Sequence, residues 1–466
     1  MLRESFYSLW NHISRGRQKQ VYMAVVLMIM GSFIELLAIG SLLPFLGLLT
    51  NPDAIFSNNL AKPILEYFDF HDPDELILPM LCFFIGLIIF SGAFRVLLLA
   101  VQTRLSHLIG GDLSRKMYLN TLMQPYLTHT NSNTAELIGT ISVKSTELVY
   151  GFILPALIIV SSSFVLFIFL SAGLFFNPLF ILAVILFAGV IYGFSVFLSK
   201  RRLTLYSKVI NEGTGLALRN LHEGLGGIRE VILNGNQNYV VKEYGSIDTP
   251  LRLAKANAMV VATTPRYVLE TMMIVLVAFI AYVASFQSSE GFLAAIPILG
   301  AFALAGQRLL PIASSIYTGW ATIRSNYELS DAILRLLNQR SPLIISVADS
   351  DPVSLRTKIE LKEISFSYPD QDIPILSNID LTIIRGTRIG FMGTTGSGKS
   401  TLINIFMGLL TPGNGSIIVD GINITDSNVR GWQGLIAHVP QSIYLADSSI
   451  AQNIAFPADC LTRYAL

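Results

Sequence analysis

The chain has 466 residues, of which 52% are hydrophobic and only 14% are charged. Soluble domains carry about 25% charged residues. This deficit and a mean hydropathy of +0.58 therefore indicate an integral membrane protein and exclude a disordered one. The net charge of +1 indicates no nucleic-acid partner, and two distant cysteines cannot build a metal or disulfide framework.

The N-terminal segment 1–20 is polar and basic, and it lacks the apolar core and cleavage site of a signal peptide. After it, six stretches reach the length of about 20 mostly apolar residues that a membrane-spanning helix requires. We therefore predict six spans. They are residues 21–49, 76–101, 149–175, 178–198, 262–285 and 292–317.

Lysine and arginine are concentrated in alternate loops: before the first span, between the second and third, and between the fourth and fifth. In contrast, the segment 51–75 contains Lys62 among six acidic residues. The positive-inside rule therefore predicts that both termini and the two long basic loops are cytoplasmic. The basic loops are equally explained as topology signals and solvated helix faces alone. Because the segment 202–255 is long and poor in proline, we also predict that spans four and five continue as helices beyond the membrane.

The composition changes after the sixth span. Residues 321–338 have the pattern of an amphipathic helix, and residues 339–354 read as a polar linker. Short β-branched segments follow, together with a helix at 399–410, and this mixture predicts an α/β domain. We place the boundaries at 1–320 for the transmembrane domain, 321–354 for the connector and 355–466 for the α/β domain. The predicted strands are residues 358–361, 364–368, 379–384, 388–392, 416–419 and 435–439.

The segment Gly393-Thr-Thr-Gly-Ser-Gly-Lys-Ser400 matches the phosphate-loop pattern G-x-x-x-x-G-K-[ST]. Its glycines let backbone N–H groups curl around phosphate oxygens. The lysine reaches the β and γ phosphates, the serine hydroxyl ligates Mg²⁺, and the following helix adds its dipole. The flanking strand and helix favour this interpretation over a glycine-rich surface turn. The predicted nucleotide-binding residues are Gly393, Thr394, Thr395, Gly396, Ser397, Gly398, Lys399, Ser400 and Thr401.

This loop and its surroundings resemble the nucleotide-binding domain of ABC transporters, fused behind a six-span domain as in ABC exporters. The resemblance implies a six-helix transmembrane domain, an incomplete α/β P-loop NTPase domain, ATP and Mg²⁺ as cofactors, and a homodimer. Tyr368, 25 residues before Gly393, looks like the family's adenine-stacking aromatic residue. Gln441 looks like the glutamine that touches Mg²⁺ and senses the transmembrane domain. The alternatives are a structural tyrosine and a simple loop amide.

Further likeness lies in the loops, where residues 226–230 resemble the family's second coupling helix and residues 126–133 would hold the first. The family continues beyond Gln441 with an L-S-G-G-Q-type signature, an aspartate-ended strand, a catalytic glutamate and a switch histidine. None of these occurs in this sequence. We therefore expect the chain to bind ATP weakly without hydrolysing it. A truncated, hydrolysis-deficient nucleotide-binding membrane protein is the corresponding alternative function.

Glu35, Arg95 and Arg308 interrupt apolar runs of the predicted spans, and such residues are functional candidates. Inward-facing Arg308 and Arg95 would hold an anionic head group, whereas pairing with Glu35 inside the membrane is the alternative. The end of the first span, a short external helix at 54–67 and the Arg308 region look like bacterial flippases for lipid-linked oligosaccharides. This resemblance implies an amphipathic anionic lipid-linked glycan as substrate, in the bacterial inner membrane. A lipid or multidrug exporter is the competing interpretation.

Overall fold

The computed structural model describes residues 2–42, 45, 48, 73–132, 134–176, 178–287, 296–339, 351, 353–369, 373–441, 443 and 445–455. The chain divides into two compact units. The first comprises Met1–Met123 and Ser132–Arg340, and the second comprises Gln124–Asn131 and Ser341–Leu466. The predicted external helix at 54–67 and most of the predicted linker lie outside the described residues.

The described part of the first unit is helical. Two π-helical segments, Thr140–Lys144 and Val149–Ile153, interrupt its third long helical stretch. Its α-helices are α1 (Leu2–His12), α2 (Arg15–Gly40), α3 (Pro73–Leu122), α5 (Thr134–Gly139), α6 (Ser145–Leu148), α7 (Leu154–Phe176), α8 (Pro178–Gly226), α9 (Ile228–Leu233), α10 (Gln237–Gln287), α11 (Ile296–Ser325) and α12 (Tyr327–Asn338), and the short α4 (Tyr126–Asn131) belongs to the second unit.

Three helical stretches among the described residues are long and apolar enough to cross a membrane: Arg15–Gly40, Glu75–Leu122 and Leu137–Phe175. They overlap the first three predicted spans. The other three predicted spans lie on α8, α10 and α11, and the side chains of parts of these helices fall outside what the structure describes, so the count of six remains a prediction. Helices α8 and α10 both run far beyond their predicted spans, as expected from the length of the basic loop between them.

The buried core of the first unit joins its long helices through apolar side chains such as Met28, Ile109 and Met117. Helix α1 is docked on this unit, because Phe6 packs on Phe152 with ring centroids 4.3 Å apart. The amphipathic helix predicted at 321–338 is interrupted at Asn326, which separates α11 from α12. Large apolar side chains elsewhere on the spans point outward, as a lipid environment allows.

The second unit is built on an antiparallel sheet whose four described strands are β1 (Lys358–Phe366), β2 (Leu376–Ile384), β3 (Asn414–Val419) and β4 (Ile422–Asn423). Their order in the sheet is β2-β1-β3-β4. The two strands predicted at 358–361 and 364–368 are one bulged strand, in which Glu363 has a φ of +52°. The described helices of the second unit that follow α4 are α13 (Lys399–Phe406), α14 (Val429–Gln433) and α15 (Ile450–Ala455).

Two predicted strands, at 388–392 and 435–439, are not strands in the structure. Both segments have irregular backbone, and among the described residues neither forms β-sheet hydrogen bonds with another strand. Most of their apolar side chains are exposed, with Met392 96% and Val439 86% accessible. A β-branched pattern signals a tendency to form a strand, but a strand exists only with a hydrogen-bonded neighbour.

Asp420, in the turn between β3 and β4, holds the start of β1. Its carboxylate accepts hydrogen bonds from the Thr357 hydroxyl and from the backbone N–H groups of Arg356, Thr357 and Lys358, the last at 2.8 Å. These bonds, led by that of the Thr357 hydroxyl, hold the pKa of Asp420 well below its usual range. The stabilisation is therefore complete above the ordinary carboxyl pKa of about 3.9 and is lost as the pH falls below it.

We expect Asp420→Asn to loosen the start of β1 at neutral pH, because the amide replaces a charged acceptor while still tolerating the φ of +46° at this position. Hydrogen–deuterium exchange should show faster exchange at residues 356–358 in the variant at pH 7. The difference from the wild type should shrink below about pH 4, where the aspartate of the opened state is protonated. The exposed Asp426→Asn is the control. Equal exchange of the variant and the wild type at pH 7 would contradict this role.

Candidate nucleotide-binding site

The predicted phosphate loop, residues 393–400, runs directly into α13. Gly396 and Gly398 adopt left-handed backbone angles, with φ of +85° and +84°. A Cβ at position 398 would also lie 2.9 Å from Leu376 Cδ2 and 3.0 Å from Ile375 Cγ2. Position 398 therefore requires glycine for two reasons: its positive φ and the close approach of the loop to the start of β2.

Lys399 spans the loop. Its Nζ donates hydrogen bonds to the carbonyl oxygens of Gly393 at 2.9 Å and Thr394 at 2.8 Å, and contacts Ser397 Oγ at 3.3 Å. The ammonium group is thus held over the loop by neutral acceptors, which a phosphate oxygen can replace with a stronger, charge-assisted bond.

Helix α13 is fixed at its far end, so that its first turn stays aimed at the loop. Trp432 of α14 donates from Nε1 to the Phe406 carbonyl oxygen at 2.8 Å, and the two rings meet edge to face. Within the first turn, Thr401 is buried and Ser400 is exposed. The Ser400 hydroxyl is therefore the one that faces outward, where a metal-bound phosphate would lie.

The two residues predicted outside the loop have different environments. Tyr368 is half-buried, and its ring meets Phe366 edge to face at 5.1 Å. Phe366 in turn accepts a hydrogen bond from the Ile375 N–H, and Ile375 borders the loop at Gly398. Tyr368 therefore lies on the strand end next to the loop. Gln441 is exposed, and no hydrogen bond joins it to the loop within the part of the chain that the structure describes.

The donor set of the loop fits a triphosphate carrying Mg²⁺. Backbone N–H groups, the Lys399 ammonium and the N-terminus of α13 all favour a strongly negative ligand. Among the described residues no group of three or more His, Cys, Asp or Glu side chains could hold a metal by itself. A Mg²⁺ ion at this site would thus be held by the Ser400 hydroxyl and phosphate oxygens, the type of shell that Mg²⁺ favours with nucleotides.

The two candidate substrate arginines also differ. Arg95 Nη1 lies 3.7 Å from Glu35 Oε1, so the structure favours the intramembrane pairing considered above for this residue. Arg308 lies on α11, but its side chain falls outside what the structure describes.

The two predicted coupling segments are both helical. Helix α4 belongs to the same compact unit as the phosphate loop, and Leu127 packs against the hydrophobic core of that unit. Helix α9 follows Gly227 and exposes the apolar Ile232 and Leu233.

One polar contact of the first unit was not anticipated. Glu147 of α6 and Lys255 of α10 form an ion pair of 2.6 Å. They are 108 positions apart, and the sequence pattern shows Lys255 merely as one charge of a basic loop. No local signal could have joined them, because the contact depends on how α6 packs against α10.

Comparison with known proteins agrees with this architecture. Residues 46–307 match the family model of the ABC transporter transmembrane region, and residues 376–462 match that of the ABC transporter. The ATP-dependent lipid A-core flippases of Escherichia coli (strain K12) and Shigella sonnei (strain Ss046) are 24% identical to the chain over 272 residues, covering 57% of this chain and 45% of theirs. The chain thus spans about half the length of the curated relatives it matches.

A solved structure described as a bacterial Atm1-family ABC exporter with ATP bound shares the fold, with a TM-score of 0.69 at 18% identity. The match covers 94% of this chain and 74% of that one. The transmembrane family model alone accounts for more than half of the chain. The chain therefore belongs to the ABC transporter family, with its transmembrane and nucleotide-binding regions fused in one polypeptide.

Proposed function

We propose that this chain is a subunit of an ATP-driven exporter or flippase that moves an amphipathic, anionic lipid-linked oligosaccharide or polysaccharide precursor across the bacterial inner membrane. The observation that carries this proposal is the joining, in one chain, of a phosphate loop of the geometry described and a unit of long apolar helices. The names of the curated relatives, which refer to lipid A-core, support a lipid as cargo.

The nucleotide would lie on the loop. Residues 393–398 supply backbone donors, Lys399 exchanges its bonds to loop carbonyls for bonds to phosphate, and Ser400 ligates Mg²⁺. Tyr368 offers a ring for the adenine base, and Gln441 would have to reach the metal from the segment after α14. In an alternating-access mechanism, bound ATP would supply the free energy for switching the membrane unit between its inward-open and outward-open states. Residues 393–401 are the part of this chain that binds the ATP phosphates.

The proposed transporter has a defined orientation in the membrane and consists of two copies of this chain. The basic loops support cytoplasmic termini under the positive-inside rule. Two copies of the chain would form a symmetric homodimer, the commonest closed assembly of identical subunits. Helices α4 and α9 are the segments through which closure of the nucleotide-binding units would be transmitted to the spans.

Transport is tested in proteoliposomes containing the full chain and a fluorescent polyisoprenyl-pyrophosphate disaccharide. ATP with Mg²⁺ should accelerate protection of this lipid from a membrane-impermeant quencher, and fluorescent phosphatidylcholine should not respond. The Lys399→Ala variant is the control for ATP dependence. Equal movement of both lipids, or efflux of a cationic dye instead, would favour the multidrug or general lipid exporter. Absence of any ATP effect would favour the hydrolysis-deficient alternative.

We expect Arg308→Ala to slow movement of the pyrophosphate lipid by about tenfold, the effect of losing one charge-assisted contact. Arg95→Ala is the matched variant and should have the smaller effect, because Glu35 already engages that guanidinium. Initial rates of lipid protection measure both. A larger loss for Arg95→Ala than for Arg308→Ala would contradict the assignment of the head-group contact to Arg308.

A further inference from the structure

The first unit contains a cavity of about 410 Å³. It is bordered by α6, the second π-helical segment, α8, α10 and α11, together with Asn326 at the end of α11. Its size falls within the range of about 300–1,000 Å³ that is typical of small-molecule sites. The polar and aromatic residues that matter for its chemistry are Glu147, Tyr150, Lys255, Thr263, Thr318 and Asn326.

The charged residues of the cavity neutralise each other. Lys255 Nζ donates to Glu147 Oε1 at 2.6 Å, while Glu147 Oε2 is buried and has no hydrogen-bond partner within the described structure. A buried carboxylate oxygen without a donor is costly. A neutral donor entering beside Lys255 would satisfy this carboxylate after a turn about its terminal torsion. An anion would instead meet its negative charge.

The remaining polar groups present acceptors to the cavity. The Thr263 hydroxyl donates to the Met259 carbonyl at 3.0 Å, and the Thr318 hydroxyl donates to the Ser314 carbonyl at 2.8 Å. Asn326 uses its Nδ2 to donate to the Thr322 carbonyl at 2.8 Å. Because these hydrogens are used within the helices, the oxygens are left to accept, and they fit a ligand that carries several O–H donors.

The local backbone around Glu147 is unusual. Glu147 lies on the single turn of α6, between the two π-helical segments Thr140–Lys144 and Val149–Ile153. Such π-helical turns inside helices occur frequently at functional sites. The second segment also carries Tyr150, which is 55% exposed and meets His107 edge to face at 5.1 Å. An exposed ring at a polar cavity offers an apolar surface to the C–H face of a sugar.

The position of the cavity along the helices matches a lipid head group. Lys255 precedes the predicted fifth span by seven residues, about 10 Å of helix, and Thr318 directly follows the predicted sixth span. The cavity thus lies where the spans end on the side of the basic loops. On the basis of the proposed function, we infer that this cavity is a sugar-binding subsite, which takes the uncharged hydroxyl-bearing part of a glycolipid head group separately from any contact to its phosphate.

The subsite is tested with two photoreactive amphiphiles on the full chain in phospholipid nanodiscs. Both carry a decyl chain with a diazirine beside the head group, which is maltose in one and phosphocholine in the other. The maltoside should label residues 255–263 and 318–326 saturably, as located by mass spectrometry of the peptides. The phosphocholine probe should label them without saturation. Saturable labelling by phosphocholine alone, or by neither probe, would overturn the assignment.

Glu147→Gln should reduce the saturable maltoside labelling by about tenfold, because it replaces the unpaired acceptor with a donor and removes the charged partner of Lys255. Glu223→Gln is the matched control, since it breaks the exposed ion pair of Glu223 with Arg219 away from the cavity and should leave labelling unchanged. Unchanged labelling in Glu147→Gln would refute the subsite. Thermal denaturation of each variant reports whether it is folded.

A second variant tests the subsite by a steric clash and leaves its charges unchanged. A Cβ at Gly151 would lie 2.7 Å from Asn326 Cγ, so Gly151→Ala should displace Asn326 and lower the labelling, whereas Gly245→Ala has open space and should not. Equal labelling of these two variants counts against the subsite.

Because labelling needs neither ATP nor transport, labelling without glycolipid movement refutes the proposed function alone. Glycolipid movement with labelling insensitive to Glu147→Gln refutes the subsite alone.

Discussion

Replacing Lys399 with alanine should lower the affinity of the chain for Mg²⁺-ATP by about 10- to 150-fold, the equivalent of the 1.5–3 kcal/mol of a hydrogen bond to a charged group. The lysine lies over the loop, where its Nζ contacts the carbonyl oxygens of Gly393 and Thr394. On binding, those neutral acceptors would be replaced by phosphate oxygens. Alanine removes the charge and also leaves the loop without its internal tie.

Binding of a fluorescent ATP analogue to the purified full chain measures this effect. Lys358→Ala is the matched control, because Lys358 is an exposed lysine of the same unit, 3.2 Å from Glu360, and lies on β1 instead of the loop. The control should keep the wild-type affinity. If the Lys399→Ala variant binds the analogue with an affinity within about twofold of the wild type, the nucleotide binds elsewhere. A twofold change is less than a third of the 1.4 kcal/mol that a tenfold change represents.

Gly415→Ala should strongly destabilise the second unit. Gly415 has a φ of +89°, and a Cβ there would lie 2.3 Å from the Lys362 carbonyl oxygen and 2.5 Å from that of Glu363. These atoms belong to the backbone of the β1 bulge and cannot rotate away. We expect a loss of about 3–4 kcal/mol in the free energy of unfolding, about 1–2 from the backbone angle and the rest from the clash.

Gly421→Ala separates the two contributions. Gly421 has a similar φ of +87°, yet nothing lies within 4 Å of a Cβ added to it. It should therefore cost about 1–2 kcal/mol, the backbone term alone. Urea unfolding followed by Trp432 fluorescence, in a background with Trp10 and Trp320 replaced by phenylalanine, reports on the second unit. Equal losses in the two variants would show that β1 yields to the new methyl group.

The features that were predictable from sequence are those determined by neighbouring residues. The spacing of glycines, lysine and serine in residues 393–400 predicts a loop followed by a helix, and the structure confirms both. The apolar runs predict long helices, of which three are confirmed as candidate spans. The bulge at Glu363 was not predictable, because it depends on the approach of Gly415 from another strand.

Features that depend on distant partners were not predictable in the same way. The segments 388–392 and 435–439 have strand-like patterns, but pairing is a property of two segments and neither has a partner strand among the described residues. The charge of Arg95 suggested both a head-group contact and a partner, and packing of α2 against α3 favours Glu35. The pair Glu147 and Lys255 is further evidence that tertiary packing chooses the partner of a charge.

Helices α8 and α10, joined through α9, have a mechanical consequence. They contain 49 and 51 residues, so each is about 75 Å long at 1.5 Å per residue. Along this length Ile210 and Ala217 of α8 share a buried core with Leu251 and Ala254 of α10, which holds the two helices together although α10 contains two prolines. A rotation of about 10° about one end of a rod this long moves the other end by about 13 Å. A displacement of α9 by about the width of a helix would thus correspond to a tilt of only about 10° about the opposite ends of α8 and α10.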